Sequence, residues 1–287
     1  EEKNKKDNVG HRLGRMDIIC EHCGALKWVG EKPGLCCMNG EIILAPLPNP
    51  PPAIKKLLTE KDPISKVPFV NNIRAYNQIL AFSSIGTILD EEFANDKKGV
   101  YNYRIQGEHY HEISSLMPKE GDSPKFSQIY FYDSKDSNIQ LNRRHEIMEK
   151  KLNKNMLGEL QEELMTINPF VDVYTQAGQY EDATNRALLY ILIHNTHSKD
   201  MRQYNAPTGD EVAAICLVDE QMQERDILIQ RYDEKFLKIS ELNGAYDPLQ
   251  YPLLFPHGEY GWHKEILRKN KIDIDKQDDD DNDNNNN

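Results

Sequence analysis

Four of the chain's five cysteines fall between Cys20 and Cys37, in the stretch CEHCGALKWVGEKPGLCC. Thiols this crowded must share an ion, bond one another or be buried, so this stretch constrains its local fold more tightly than any other. Cys20 and Cys23 form a C-x2-C pair, a spacing that turns two thiolates toward one centre, and Gly24 follows where the backbone must bend around sulfur. Cys36 and Cys37 return after twelve intervening residues. Adjacent side chains diverge, so both ligate only if the backbone kinks between them; otherwise one of them is joined by His22. Structural zinc leads among three readings. Ordinary buried or free cysteines come second. A redox dithiol comes last, because no βαβ pattern surrounds the pair. A site closed by four protein ligands keeps no open position, which points to a metal that holds a short segment together rather than a catalytic one. Cys216 sits in the strand-like run EVAAICLV and reads as core. An odd cysteine count with four bunched argues against a secreted disulfide framework and for a reducing, intracellular location. Between the ligand pairs, Lys27 offers a cation for nucleic acid. Trp28 offers a stacking face, although packing over the metal site is the simpler role for it.

At 287 residues the chain accommodates one large or two ordinary domains, and with 38% hydrophobic residues it can fill a core. No run of apolar residues is long enough to span a membrane, and no membrane partner is expected. The first residues, EEKNKKDNVG, contain neither methionine nor an apolar stretch, so they are no signal peptide and the N-terminus reads as incomplete. Seven Asp against one Lys from Asp273 onward place half of the net charge of −12 in the tail. The remaining body is mildly acidic, which excludes a general basic field for wrapping nucleic acid but leaves room for a local basic face.

Four segments follow in order: a cysteine-rich zinc-binding module over 1–44, a proline-rich linker over 45–66, an α+β domain over 67–265, and an Asp/Asn-rich tail over 266–287. The linker carries five prolines between Pro46 and Pro52 and reads as a polyproline II spacer. The tail's composition is that of a disordered segment. In the body, Leu141, Met148, Leu152, Met156, Leu160 and Leu164 fall on one stripe and predict a single long helix from Ile139 to Met165, ended by Asn168-Pro169. A second helix is predicted from Asn71 to Phe82. Strands are predicted over 100–106, 126–133, 187–194, 211–218 and 225–230, with 236–240 as a hairpin partner of the last. The later strands lie too close together for helical crossovers, so the sheet is expected to be largely antiparallel. The fold class is α+β.

His109 and His111, two apart in GEHYHEISS, would share a strand face and could meet one divalent ion, as in HUH-type endonucleases. Such a nuclease also needs a nucleophilic tyrosine, often two with three residues between, and no pair among the fourteen tyrosines has that spacing. The chain has no G-x-x-x-x-G-K-[ST], G-x-S-x-G, H-E-x-x-H or G-x-G-x-x-G motif, so the sequence assigns it no catalytic residue. Arg74, Arg104, Arg143, Arg144 and Arg202 are candidates for phosphate contacts, against the commoner role of surface charge or ion pair.

Several phrases taken in order carry a resemblance: HRLGRMDIICEHCGALKW, GLCCMNGEI, LPNPPPAIKKLL, FVNNIRAYNQILAFSSIG, GVYNYRIQGEHYHEISSLMP, SPKFSQIYFYD, DMRQYNAPTGDEVAAI, RDILIQ and YDPLQYPLLFPHGEYGWH. From His11 to His263 the chain resembles the N-terminal region of Helitron transposon proteins, the rolling-circle replication initiator/helicase family. The resemblance implies a zinc-finger-like module that contacts DNA at transposon ends, single- or double-stranded, and a nuclear location. It also implies partner endonuclease and helicase domains downstream of the YPLLFP phrase, with the ATP-dependent helicase and nuclease activities residing there. His109 and His111 then fall outside the family's endonuclease motif. This chain is expected to be a non-catalytic leading segment, a fragment or a degenerate copy.

Overall fold

The computed structural model describes residues 14–42, 47–59, 69–89, 105–181, 190–193, 213–216, 227–230, 237–263, 266 and 268. The chain divides into two compact units, one of residues 1–47 and 265–287, the other of 48–264. Apart from residues 266 and 268, the predicted tail lies outside the described residues.

In the first unit, β1 (Ile18–Ile19) and β2 (Leu26–Lys27) pair antiparallel, with Ile18 opposite Lys27 and Ile19 opposite Leu26. Ile42 bridges to Arg268, whose guanidinium lies 3.8 Å from Glu41.

The second unit mixes helices with antiparallel sheet, as the α+β class requires. Its described elements are α1 (Pro52–Thr59), α2 (Phe69–Leu80), β3 (Ser84–Leu89), β4 (Ile105–Ile113), α3 (Ser127–Tyr132), α4 (Ser137–Ile147), α5 (Lys154–Ile167), α6 (Pro169–Glu181), β5 (Tyr190–Ile193), β6 (Ala213–Cys216), β7 (Ile227–Gln230), β8 (Leu237–Ile239) and α7 (Tyr246–Gln250). The strands form two antiparallel three-stranded sheets, β3-β4-β8 and β6-β5-β7. β8 therefore pairs with β4, across a long stretch of sequence, and is not the hairpin partner of β7. The core gathers Tyr76, Leu80, Phe82, Tyr130, Leu157, Leu160, Phe170 and Tyr174, all fully buried. Phe82 stacks on Tyr130 with ring centres 4.8 Å apart.

Three sequence expectations are corrected here. The spacer over 45–66 does not stay extended: Pro52 opens α1, where a proline lacks nothing because the first helical N–H has no partner in any case. α1 buries Ile54 and Leu57, and its Ala53 N–H donates to Glu163 Oε2 at 2.7 Å. The long helix from Ile139 to Met165 is two helices. Glu149 (φ 51°) and Lys150 (φ 59°) turn left-handed after α4, and Asn153 caps α5 by accepting from the Asn155 and Met156 N–H groups. Both helices face the same core, so the apolar stripe runs on across the break. Residues 126–133, predicted as a strand, contain α3. Ser127 to Phe131 are all buried, and a short run buried on every side carries no period to separate helix from strand.

The stretch from Asn243 to Gly258 straps the helices. Asn77 holds it by donating to Gln250 O (2.8 Å) and accepting from Leu253 N–H (3.2 Å). Asn168 ends α5, accepts from the Phe170 and Val171 N–H groups at the start of α6, and donates to Pro256 O at 3.2 Å. Among the described residues, no helix is long and apolar enough to cross a membrane.

Candidate metal centre

Two turns bring the four cysteines together. β1 runs directly into Cys20, whose N–H donates to Ala25 O and whose carbonyl accepts from Gly24 N–H, both at 2.9 Å. Gly24 takes φ +72°, a left-handed value that closes this turn without a Cβ penalty. The second turn supplies the kink that adjacent ligands require. Cys37 has φ −142° and ψ 21°, and Met38 and Asn39 follow with φ 50° and 56°. Met38 N–H closes the loop onto Gly34 O at 2.7 Å, while Gly40 and Ile42 N–H converge on Cys37 O. Cys36 and Cys37 thereby turn their sulfurs to one side.

The Sγ atoms of Cys20, Cys23, Cys36 and Cys37 all lie within 4.8 Å of one another and could hold a metal ion. Cys20 and Cys37 are 3.8 Å apart and Cys36 and Cys37 3.9 Å. Cys20 and Cys37 are the buried pair; Cys23 and Cys36 are half-exposed. Without a metal the thiols divide the charge unequally. Backbone N–H groups of Cys23 and His22 pull the Cys20 thiol down to about 6, and the hydrogen bond it accepts from Cys36 adds to this. Serving as donor to Cys20, with burial second, pushes Cys36 up to about 12. Burial raises Cys37. Cys20 is thus the most readily ionised of the three, braced by the peptide groups of its own turn.

His22 is exposed and does not belong to this cluster, whereas both adjacent cysteines do. Its ring lies against Gly40, where an added Cβ would come within 3.0 Å of Nδ1. The cysteine spacing pointed to the four thiols that come together, and the kink that the adjacent pair requires is a left-handed turn. Gly34 and Gly40, flanking Cys36 and Cys37 with φ +79° and +87°, were its signal.

The phosphate candidates fare differently. Lys27 is half-buried on β2, and Arg74 is exposed on α2. Arg143 is engaged by both oxygens of Asp133, which hold its guanidinium more firmly protonated. Arg144 has no surface to offer a phosphate. It is fully buried over the Tyr130 ring at 4.3 Å and donates to Ile79 O, Gln140 Oε1 and Gln161 Oε1. Arg104 and Arg202 lie outside the described residues.

His109 and His111 both fall on β4. The His111 ring is 7% exposed, stacked on Tyr246 with centres 4.0 Å apart, and its Nδ1 lies 3.4 Å from Tyr246 O. A ring covered in this way meets neither a divalent ion nor a scissile phosphate unless Tyr246 moves aside.

No protein-family model matches this sequence, and no curated protein matches it either.

Proposed function

We propose that this chain is the zinc-stabilised, non-catalytic leading segment of a Helitron-like replication initiator/helicase, contributing DNA binding or scaffolding to rolling-circle transposition. The close cluster of four cysteines carries the reading. A tetrahedral zinc with Zn–S bonds of about 2.3 Å sets its sulfurs about 3.8 Å apart. The Cys20–Cys37 and Cys36–Cys37 separations of 3.8 and 3.9 Å fit that edge. Cys20, Cys23, Cys36 and Cys37 would hold the ion, which supplies cross-linking of two turns and no chemistry. An all-sulfur set suits zinc and disfavours magnesium or calcium, which take oxygen. The ordered phrases from His11 to His263 support the family assignment, and DNA, with the downstream endonuclease and helicase domains, would be its partners.

A protein-docking role for the module has its own support. Val29 (81% exposed), Leu35 (71%) and Ile19 (64%) present apolar surface that a nucleic-acid backbone does not use.

Metal analysis of the chain purified without chelator tests the first claim: one zinc per chain is expected, and a stoichiometry far below one refutes it. Filter binding of DNA across a salt series separates the two roles. Phosphate contacts give affinity that falls steeply with salt, whereas a docking module gives no DNA retention at any salt.

A further inference from the structure

We propose that a small hollow beside Phe126 takes one unpaired base of a single-stranded nucleic acid. This site rests on the reading that the chain contacts DNA, and it lies wholly within the second unit. The hollow, about 90 Å³, is lined by Gln78 and Ile79 at the end of α2, Lys125 and Phe126 before α3, and Ile147 and Met148 at the end of α4.

Backbone strain marks the place. Phe126 has φ 50° and ψ −128°, a conformation that suits glycine and is costly for a bulky residue. Its surroundings over-determine it. Gln128 accepts from Lys125 N–H at 3.1 Å and donates to Ser115 O and Met117 O at 3.0 Å, while Ser127 N–H donates to Phe82 O at 3.2 Å. These bonds hold the ring half-buried at the hollow instead of in the core. At the other wall, Met148 has an ordinary backbone (φ −83°) and the left-handed pair Glu149 and Lys150 follows it. A strained residue thus lines this small cavity, and strain of this kind gathers at ligand clamps.

The chemistry around the hollow selects the ligand. Ile79, Ile147 and Met148 give an apolar floor, Phe126 a flat ring, and the Gln78 amide a paired donor and acceptor suited to a base edge. The cations are Lys125 in the lining, Arg74 exposed one turn before Gln78 on α2, and Lys150 exposed just beyond Met148. Of the nearby acids, Glu149 is held by Lys151 at 2.5 Å, and Glu146 lies in the field of Arg143. An aromatic face with flanking cations is the recurring apparatus for single strands, where the ring stacks a base and the cations follow the backbone. A hollow of about 90 Å³ suits the edge of a single ring.

Phe126→Gly tests this with a sign that a filler residue would not give. Glycine adopts the strained conformation freely and is accepted ahead of a helix, so thermal stability should hold or rise. Fluorescence anisotropy with an oligodeoxythymidylate should show binding weakened about tenfold, the scale of one lost base stack. On an abasic backbone of equal length, wild type and variant should bind alike, because no base is there to lose. A variant that binds oligodeoxythymidylate as well as wild type overturns the pocket while leaving the DNA reading intact. A fall in melting temperature with affinity unchanged reassigns the ring to packing. Wild type that binds neither strand removes the DNA reading and the pocket with it. Capture of a Leu/Asp-rich peptide in place of either strand would assign the hollow to a peptide and overturn the base.

Discussion

The cysteine module and the helical body differ in how much apolar surface they bury. Within residues 14–42 the only buried hydrophobic-class side chains are Cys20 and Cys37, while Ile18, Ile19, Leu26, Val29, Leu35 and Met38 are exposed. In the body, Tyr76, Leu80, Phe82, Leu157, Leu160, Phe170 and Tyr174 form a core closed to solvent. Hydrophobic burial is the dominant favourable term in folding, and a segment that lacks it needs another constraint. The four thiolates supply one when a metal joins them, because the free energy of binding the ion then becomes folding free energy. On the proposed metal-bound reading, the order of the module depends on pH and chelators and that of the body on packing.

The largest test of this contrast is metal removal. Chelation, or the double change Cys20→Ser and Cys23→Ser, should abolish amide-exchange protection across 18–42. It should leave α2, α5 and α6 protected as before. Loss of protection in both regions would break the contrast.

A smaller effect runs the other way. Arg144→Ala leaves Gln140, Gln161 and the Ile79 carbonyl without their buried partner and should cost about 3 kcal/mol. Metal content should stay unchanged. Arg74→Ala, at an exposed position, should cost nothing measurable in denaturant unfolding. Equal costs for the two would refute the strut role of Arg144.

Acid should separate the regions more finely. Burial lowers the His111 pKa below 6.5, so its neutral form is favoured in the folded body. The unfolded state then binds more protons as pH falls below about 6.5, and the stability this site contributes is lost in that window. His111→Phe, which keeps a ring against Tyr246, should flatten the body's melting temperature between pH 6.5 and 5. The module follows a different curve. Cys36 and Cys37 must give up protons to bind a metal, so metal affinity should fall continuously from pH 8 downward. Competition with a chromogenic chelator reads that slope, and a pH-independent affinity would rule out thiolate ligation.

Local chemistry was legible in the sequence wherever one residue type enforces a conformation or a bond. The C-x2-C pair with Gly24 gave the first turn, and Asn168-Pro169 gave the end of α5. What misled was pattern without a local enforcer. The stripe from Leu141 to Leu164 has the right period on both sides of a break it does not encode, and residues 127–131 carry no period because every side is buried. Arg143 and Arg144 read alike, as two of the five candidates for phosphate contacts. Their roles differ because one meets a carboxylate of the chain behind it and the other enters the core.

By itself the sequence determined that four thiols must be reconciled within one short segment and that the remainder has the material for an α+β core. Spacing and composition suffice for that, because ligand reach and apolar content are local quantities. Only the tertiary structure decided that both adjacent cysteines turn inward while His22 stays outside, that the proline run ends in a packed helix, and that His111 is shut beneath Tyr246. Those outcomes depend on left-handed backbone values and on partners distant in sequence, neither of which a residue's own neighbours specify.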